Sequence, residues 1–204
     1  MTNETIVSAG KHRARLLDRP AFVLLTIAMF LVGSATAGEP AYVGAKKCKS
    51  CHIKQYKSWE QTHMAQSFEV LKPGIRPEEK KKAGLDPAAD YSTDPECLPC
   101  HTTGYGRPGG FESLEATPAL VGVQCEACHG PGSEYLAKDK MSLQNKEYKR
   151  ADLVATGLVI PNGDTCTSTC HNERSPFAVP GQAFDFEERK NQGTHEHIPL
   201  KYAH

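Results

Sequence analysis

Eight cysteines stand in this chain as four pairs, and each pair is followed at once by a histidine. Cys48-Lys-Ser-Cys51-His52, Cys97-Leu-Pro-Cys100-His101 and Cys125-Glu-Ala-Cys128-His129 are Cys-x-x-Cys-His runs, and Cys166-Thr-Ser-Thr-Cys170-His171 is the same arrangement with one residue more. An even cysteine count often reads as a disulfide framework, but a framework gives no reason for histidine to trail every second cysteine. Zinc ribbons also use cysteine pairs, and a thioredoxin-like redox pair would occur once, not four times. The chemistry that needs all three residues together is attachment of c-type haem. Two thiols add to the two haem vinyl groups, and the adjacent histidine turns under the ring as the proximal iron ligand. The pattern predicts four c-type haems, anchored at Cys48/Cys51, Cys97/Cys100, Cys125/Cys128 and Cys166/Cys170, with His52, His101, His129 and His171 on the irons.

Four haems also account for the composition. The chain has 204 residues, of which 39% are hydrophobic and 7% aromatic, with a single Trp. That is little aliphatic bulk for a core, and the porphyrins themselves supply what is missing. The expected fold is mainly α: a multihaem cytochrome c in which helices and loops wrap four covalently bound haems, with little or no sheet. Lys and Arg number 24, as do Asp and Glu. This balance gives no electrostatic case for nucleic acid or an anionic membrane as partner, and haem propionates would make the holoprotein more acidic still.

The N-terminus carries Lys11, Arg13, Arg15 and Arg19, then the 13-residue run Ala21 to Gly33, then Ser34-Ala35-Thr36-Ala37. A basic region, an apolar stretch and a small-residue site describe a secretory signal peptide, and the run is short of the roughly 20 residues of a spanning helix. Residues 1–37 are read as the signal and 38–204 as one tetrahaem domain. Four basic and two acidic residues go with the signal, leaving 20 against 22. No later segment is apolar and long enough to span a bilayer, so a periplasmic protein, soluble or peripheral, is expected.

The pairs begin at 48, 97, 125 and 166, so their spacing is irregular, and the 28-residue interval should hold the second and third haems close. Cys51 to Leu71 lacks Gly and Pro and reads as one helix ended by Lys72-Pro73-Gly74. Pro77 to Lys82 reads as a short helix with Pro and acids first, and Gly104 to Gly110 as a turn-rich loop. Gly130-Pro131-Gly132 redirects the chain after His129, letting backbone approach a haem face.

For the sixth iron positions, residues 38–204 offer His63, His195, His197 and His204, with Met64 and Met141. On an unbroken helix His63 lies 11 residues from His52, about 16 Å away. Imidazole binds metal at about 2 Å, so His63 would serve a different haem from His52. His195 and His197 are two apart and diverge on a helix, so one of them is expected to ligate.

The motifs, together with SWEQTHMAQSFEVLKP, LDPAADYSTDPEC, GYGRPGGF, VGVQCEACHGPG and a late HEH, resemble the tetrahaem cytochrome c-554 family of ammonia-oxidising bacteria. The resemblance implies a periplasmic electron carrier with stacked haem pairs, three bis-histidine haems and one haem without a sixth ligand, on the second motif. It also implies His63 as sixth ligand of the haem on His129, and His195 or His197 for the haem on His171. The family's histidine after the third motif, which caps the first haem, has no counterpart between Gly130 and Thr165. Lys138, Lys140 and Met141 stand near that place. The first haem is left with Met141, Lys138, Lys140, His204 or no sixth ligand. The implied role is to relay electrons from a multihaem, hydroxylamine-oxidising enzyme to a cytochrome or quinone-linked acceptor, with Lys46, Lys47, Lys49, Lys54 and Lys57 available to dock an acidic partner. The alternative is an enzyme that reduces a small nitrogen species such as nitric oxide at the five-coordinate haem.

Overall fold

Helix in this protein comes in pieces too short to stand alone. The computed structural model describes residues 39–178, 180–200 and 202, and the expected signal segment and His204 lie outside them. Along these residues run α1 (Ala45–Lys49), α2 (Ile53–Trp59), α3 (Pro77–Lys82), α4 (Leu98–His101), α5 (Cys125–His129), α6 (Arg150–Val154), α7 (Gly163–Thr167) and α8 (Phe186–Arg189), with 3-10 turns at Glu69–Leu71 and Pro118–Leu120. The longest, α2, has seven residues. Helices below about 12 residues are marginal in water, so tertiary anchors hold each one. Strand pairing among the described residues is limited to one antiparallel bridge, Thr102 with Val121. The fold is mainly helix and loop, as the haem reading requires.

Local signals place several elements where expected. Pro77 opens α3, Glu78 and Glu79 occupy its first turn and Lys80 to Lys82 its last, which matches charge to the helix dipole. The Gly104–Gly110 segment is a pair of turns, closed by Phe111 N–H donating to Thr103 O at 3.0 Å. A capping box of Asn162 and Thr165 starts α7.

The helix expected over Cys51–Leu71 stops at Trp59. Competing partners end it. Thr62 Oγ1 donates to Trp59 O at 2.7 Å, taking a carbonyl that a continuing helix would use. Trp59 Nε1 donates to Val123 O at 2.9 Å, and Met64 O accepts from Val123 N at 3.0 Å. The segment 59–67 is thus fastened across the chain to 122–124, and Gly122 makes the approach possible: at φ +81°, a Cβ there would lie 2.6 Å from Ala65 O. The 16 Å separation of His63 from His52, which assumed an unbroken helix, does not apply.

The core that the protein itself builds is small. Phe68, Leu71, Leu98, Phe111 and Leu120 form its centre, with Phe68 and Phe111 rings 6.0 Å apart. This cluster backs the second motif through Leu98 and Cys97. After that motif the chain turns back, and Thr103 bonds to both Leu120 and Gly122 carbonyls, at 2.9 and 2.7 Å.

Candidate functional site

The third motif is the most firmly built. It occupies α5 entirely, so Cys125 and Cys128 lie one turn apart on one face with His129 beside them. Gln124 and Glu126 clamp that helix. Gln124 Oε1 accepts from Ala45 N at 2.6 Å while its Nε2 donates to Ala119 O and Val121 O at 2.7 and 2.9 Å. Glu126, only 1% exposed, accepts from the backbone N–H groups of Val43, Gly44 and Gly132 at 3.0, 2.7 and 2.7 Å. A buried carboxylate saturated by amides costs nothing in unmade bonds and ties three chain segments to the motif. Gly130 makes its close approach to protein: a Cβ there would meet Gly157 O at 2.3 Å. Beside it, Val159 N donates to His129 O at 2.9 Å.

The second motif lies on α4. His101 Nδ1 donates to Ser67 O at 2.6 Å, which fixes the tautomer and leaves Nε2 for a metal. In the first motif, His52 N–H closes on Cys48 O, four residues back, at 2.9 Å. In the fourth, His171 N–H closes on Cys166 O, five residues back, at 3.0 Å. The additional residue is absorbed in a wider turn, and the relation of histidine to first cysteine is kept. His171 also packs against Phe184, ring centroids 4.3 Å apart. Burial holds the pKa of His52, His101, His129 and His171 below the ordinary histidine value, which favours the neutral, metal-binding imidazole.

No disulfide joins any of the eight cysteines, yet the motifs meet through their thiols. Cys48 and Cys125 are hydrogen-bonded, and the contact pushes the first thiol up and the second down. Cys100 and Cys170 form a second such pair, whose hydrogen bond brings Cys100 down to about 7. Cys128, raised to about 11 first by burial, also feels the charge of Cys166. The backbone after the second motif is hydrogen-bonded to that before the third, through Thr103 to the Leu120 and Gly122 carbonyls.

A cavity of about 2670 Å³ runs along the second, third and fourth motifs, lined by Cys100, Cys125, Cys128, His129, Cys166 and His171. That is well above the roughly 300–1,000 Å³ of an ordinary small-molecule site and fits several large planar groups. Among the described residues no three His, Cys, Asp or Glu side chains converge as a metal cage would need. Free thiol pairs, neutral buried imidazoles and this volume suit c-type haem. The first motif borders solvent instead, with Cys48 half-buried and Cys51 exposed.

Of the further histidines, His63, His195 and His197 line the same cavity as His129. His63 Nδ1 is 3.0 Å from the Arg76 guanidinium. Arg76, at φ +47°, stands alone among the described non-glycine residues in the left-handed region. His195 lies against His129 and His197, with ring centroids at 6.4 and 5.5 Å, whereas the ring against His171 is Phe184. His195 also bears electrostatically on His52. The 194–198 segment is tied to α2, through Glu196 N to Ser58 Oγ at 2.9 Å and Gln55 Nε2 to Ile198 O at 3.4 Å. Of the alternatives for the first haem, Lys138 is exposed, and Lys140 and Met141 are half-buried. Ser67, Glu126, Arg76 and Phe184 carry no sequence signal of their contacts; only Glu126, inside its motif, stood where one could look.

A family model described as cytochrome c554 and c-prime matches residues 47–130, which span the first three motifs. Cytochrome c-554 of Nitrosomonas europaea is 39% identical over 163 residues, covering 76% of this chain and 69% of that protein. The solved structure of reduced cytochrome c554 from Nitrosomonas europaea aligns with a TM-score of 0.70 at 36% identity, over 82% of this chain and 91% of that one.

Proposed function

The chain belongs to the cytochrome c-554 family of multihaem electron carriers, and from that premise we propose a four-site relay whose order is set by the folding of the four motifs. Cys48/Cys51, Cys97/Cys100, Cys125/Cys128 and Cys166/Cys170 are the anchors, and His52, His101, His129 and His171 the proximal ligands. When bound, haem supplies a one-electron couple at each motif. The chain supplies order and insulation. The observation that carries the reading is the cavity of about 2670 Å³ lined by Cys100, Cys125, Cys128, His129, Cys166 and His171, which brings the second, third and fourth motifs to one space. Ser67 holds His101, and the Cys166–His171 turn holds the longer motif in register.

The first motif is the port. Its Cys51 is exposed, and Lys46, Lys47, Lys49, Lys54 and Lys57 around it are exposed on α1 and α2, a positive face suited to an acidic partner. Residues 1–37 direct export to the periplasm, and no helix among the described residues is long and apolar enough to cross a membrane. The donor is a multihaem oxidoreductase of the hydroxylamine-oxidising type and the acceptor a cytochrome or quinone-linked protein. Stopped-flow mixing of the oxidised holoprotein with such a donor, reduced by hydroxylamine, tests this: reduction within the mixing series, slowed by salt, is expected. Absence of electron transfer above the rate of free hydroxylamine would refute that donor.

A further inference from the structure

Apart from the large cavity, a second one of about 320 Å³ lies between α1, α2 and the 3-10 turn Pro118–Leu120. That is the lower end of the range for small-molecule sites, with room for one large side chain. Ala45, Tyr56, Trp59, Pro118 and Ala119 give it apolar walls. The polar groups of those walls are already engaged. Gln124 Oε1 accepts from Ala45 N, its Nε2 donates to Ala119 O and Val121 O, and Trp59 Nε1 donates to Val123 O. The Tyr56 hydroxyl is bonded to Glu60. Tyr56 is buried, with its ring 5.4 Å from that of Trp59, so the walls stand ready before anything enters.

Around this apolar hollow the surface is cationic. Lys46 lines the pocket, and the Lys49 ammonium sits 4.6 Å from the centre of the Tyr56 ring. With Lys47, Lys54 and Lys57 they are exposed, and among the described residues none of the five is in an ion pair. An apolar pocket within unpaired charge has the anatomy of a protein interface: a buried anchor holds the complex, and the charged rim steers encounter. Its position suits electron transfer. Trp59 and Gln124 line both this pocket and the cavity along the second, third and fourth motifs, so one indole separates a seated side chain from that cavity. The first motif lies between the two helices that frame it.

We infer that this pocket anchors the redox partner: it takes an aromatic side chain of an acidic protein, whose neighbouring carboxylates lie on the lysines of α1 and α2. An aromatic ring brings the most apolar area to bury on a single side chain. A flat anionic membrane would meet the lysines but has no side chain for the pocket. The inference rests on the electron-carrier reading and on the first motif as the port.

The test uses the reduced holoprotein and two short acidic peptides, alike except that one has a central Phe flanked by glutamates and the other Ala. Trp59 is the chain's single Trp, so its indole N–H gives one resonance in a nitrogen–proton correlation spectrum and reports on the pocket directly. The Phe peptide is expected to shift that resonance saturably and to bind about tenfold tighter than the Ala peptide. Ala119→Phe, which fills the pocket from an exposed position, should abolish that preference and keep the salt dependence. Lys47→Glu with Lys54→Glu should weaken both peptides at low salt and leave the preference intact. Pro118→Ala lowers one wall without adding bulk; it should cut the preference severalfold and serves if Ala119→Phe disturbs the fold. Equal binding of the two peptides, no binding of either, a preference that survives Ala119→Phe, or a Trp59 resonance shifted by phosphatidylglycerol vesicles and by neither peptide would each overturn the anchor. Reduction of the wild type by the hydroxylamine-oxidising donor reports separately on the carrier reading: if it proceeds while the peptides fail, the anchor alone is wrong.

Discussion

A carboxylate two residues before Cys128 holds the Val43–Gly44 strap in place. Glu126, buried, accepts from the Val43, Gly44 and Gly132 N–H groups. Removing it leaves buried amides unsatisfied, at about 1–3 kcal/mol for each group. Glu126→Ala should therefore destabilise the holoprotein by on the order of 3 kcal/mol, and Glu126→Gln, which keeps one acceptor oxygen, by less; urea unfolding followed at the haem absorbance measures both. Equal midpoints for Ala and wild type would contradict the role. At this scale the four cysteine pairs and their trailing histidines were legible as a pattern because c-type haem chemistry, if it operates here, would dictate that spacing. The supporting partners were not, because a backbone acceptor such as Ser67 O has no sequence signature and Arg76 reaches His63 only through a turn the pattern hid.

At the scale of elements, the chain is a set of one- and two-turn helices fixed by crosslinking hydrogen bonds. Where local chemistry was decisive, as in the Pro-first, Lys-last α3, the pattern was readable. Where it was not, tertiary partners won: α2 lacks a breaker, yet ends at Trp59, where Thr62 takes the Trp59 carbonyl and the Trp59 indole is bound to Val123 O. That junction depends on Gly122 at φ +81°. Gly122→Ala combines a left-handed penalty of about 1–2 kcal/mol with a clash against Ala65 O, so its thermal midpoint should fall clearly below wild type in calorimetry of the holoprotein. An unchanged midpoint would mean that the 59–67 segment is not seated there.

For the whole molecule, protein alone does not make a core. Among the described residues nine hydrophobic side chains are buried, from Ala45 to Leu153, far fewer than a cooperative domain of this length needs. The chain produced without haem attachment should show no cooperative thermal transition in far-UV circular dichroism; a sharp one would contradict a porphyrin core. The lysine face at the first motif makes a kinetic prediction. Lys54→Glu with Lys57→Glu should slow reduction by an acidic donor about tenfold at low salt and leave it little changed at high salt.

The proposed relay requires haem on all four cysteine pairs, the fourth included despite its longer spacing. Intact-mass spectrometry of protein purified from a host with c-type maturation tests it most directly. A single species with the mass of residues 38–204 plus four haems, resistant to acid–acetone extraction, is expected. A species with three haems and free Cys166 and Cys170, or with cysteines joined as disulfides, would contradict it.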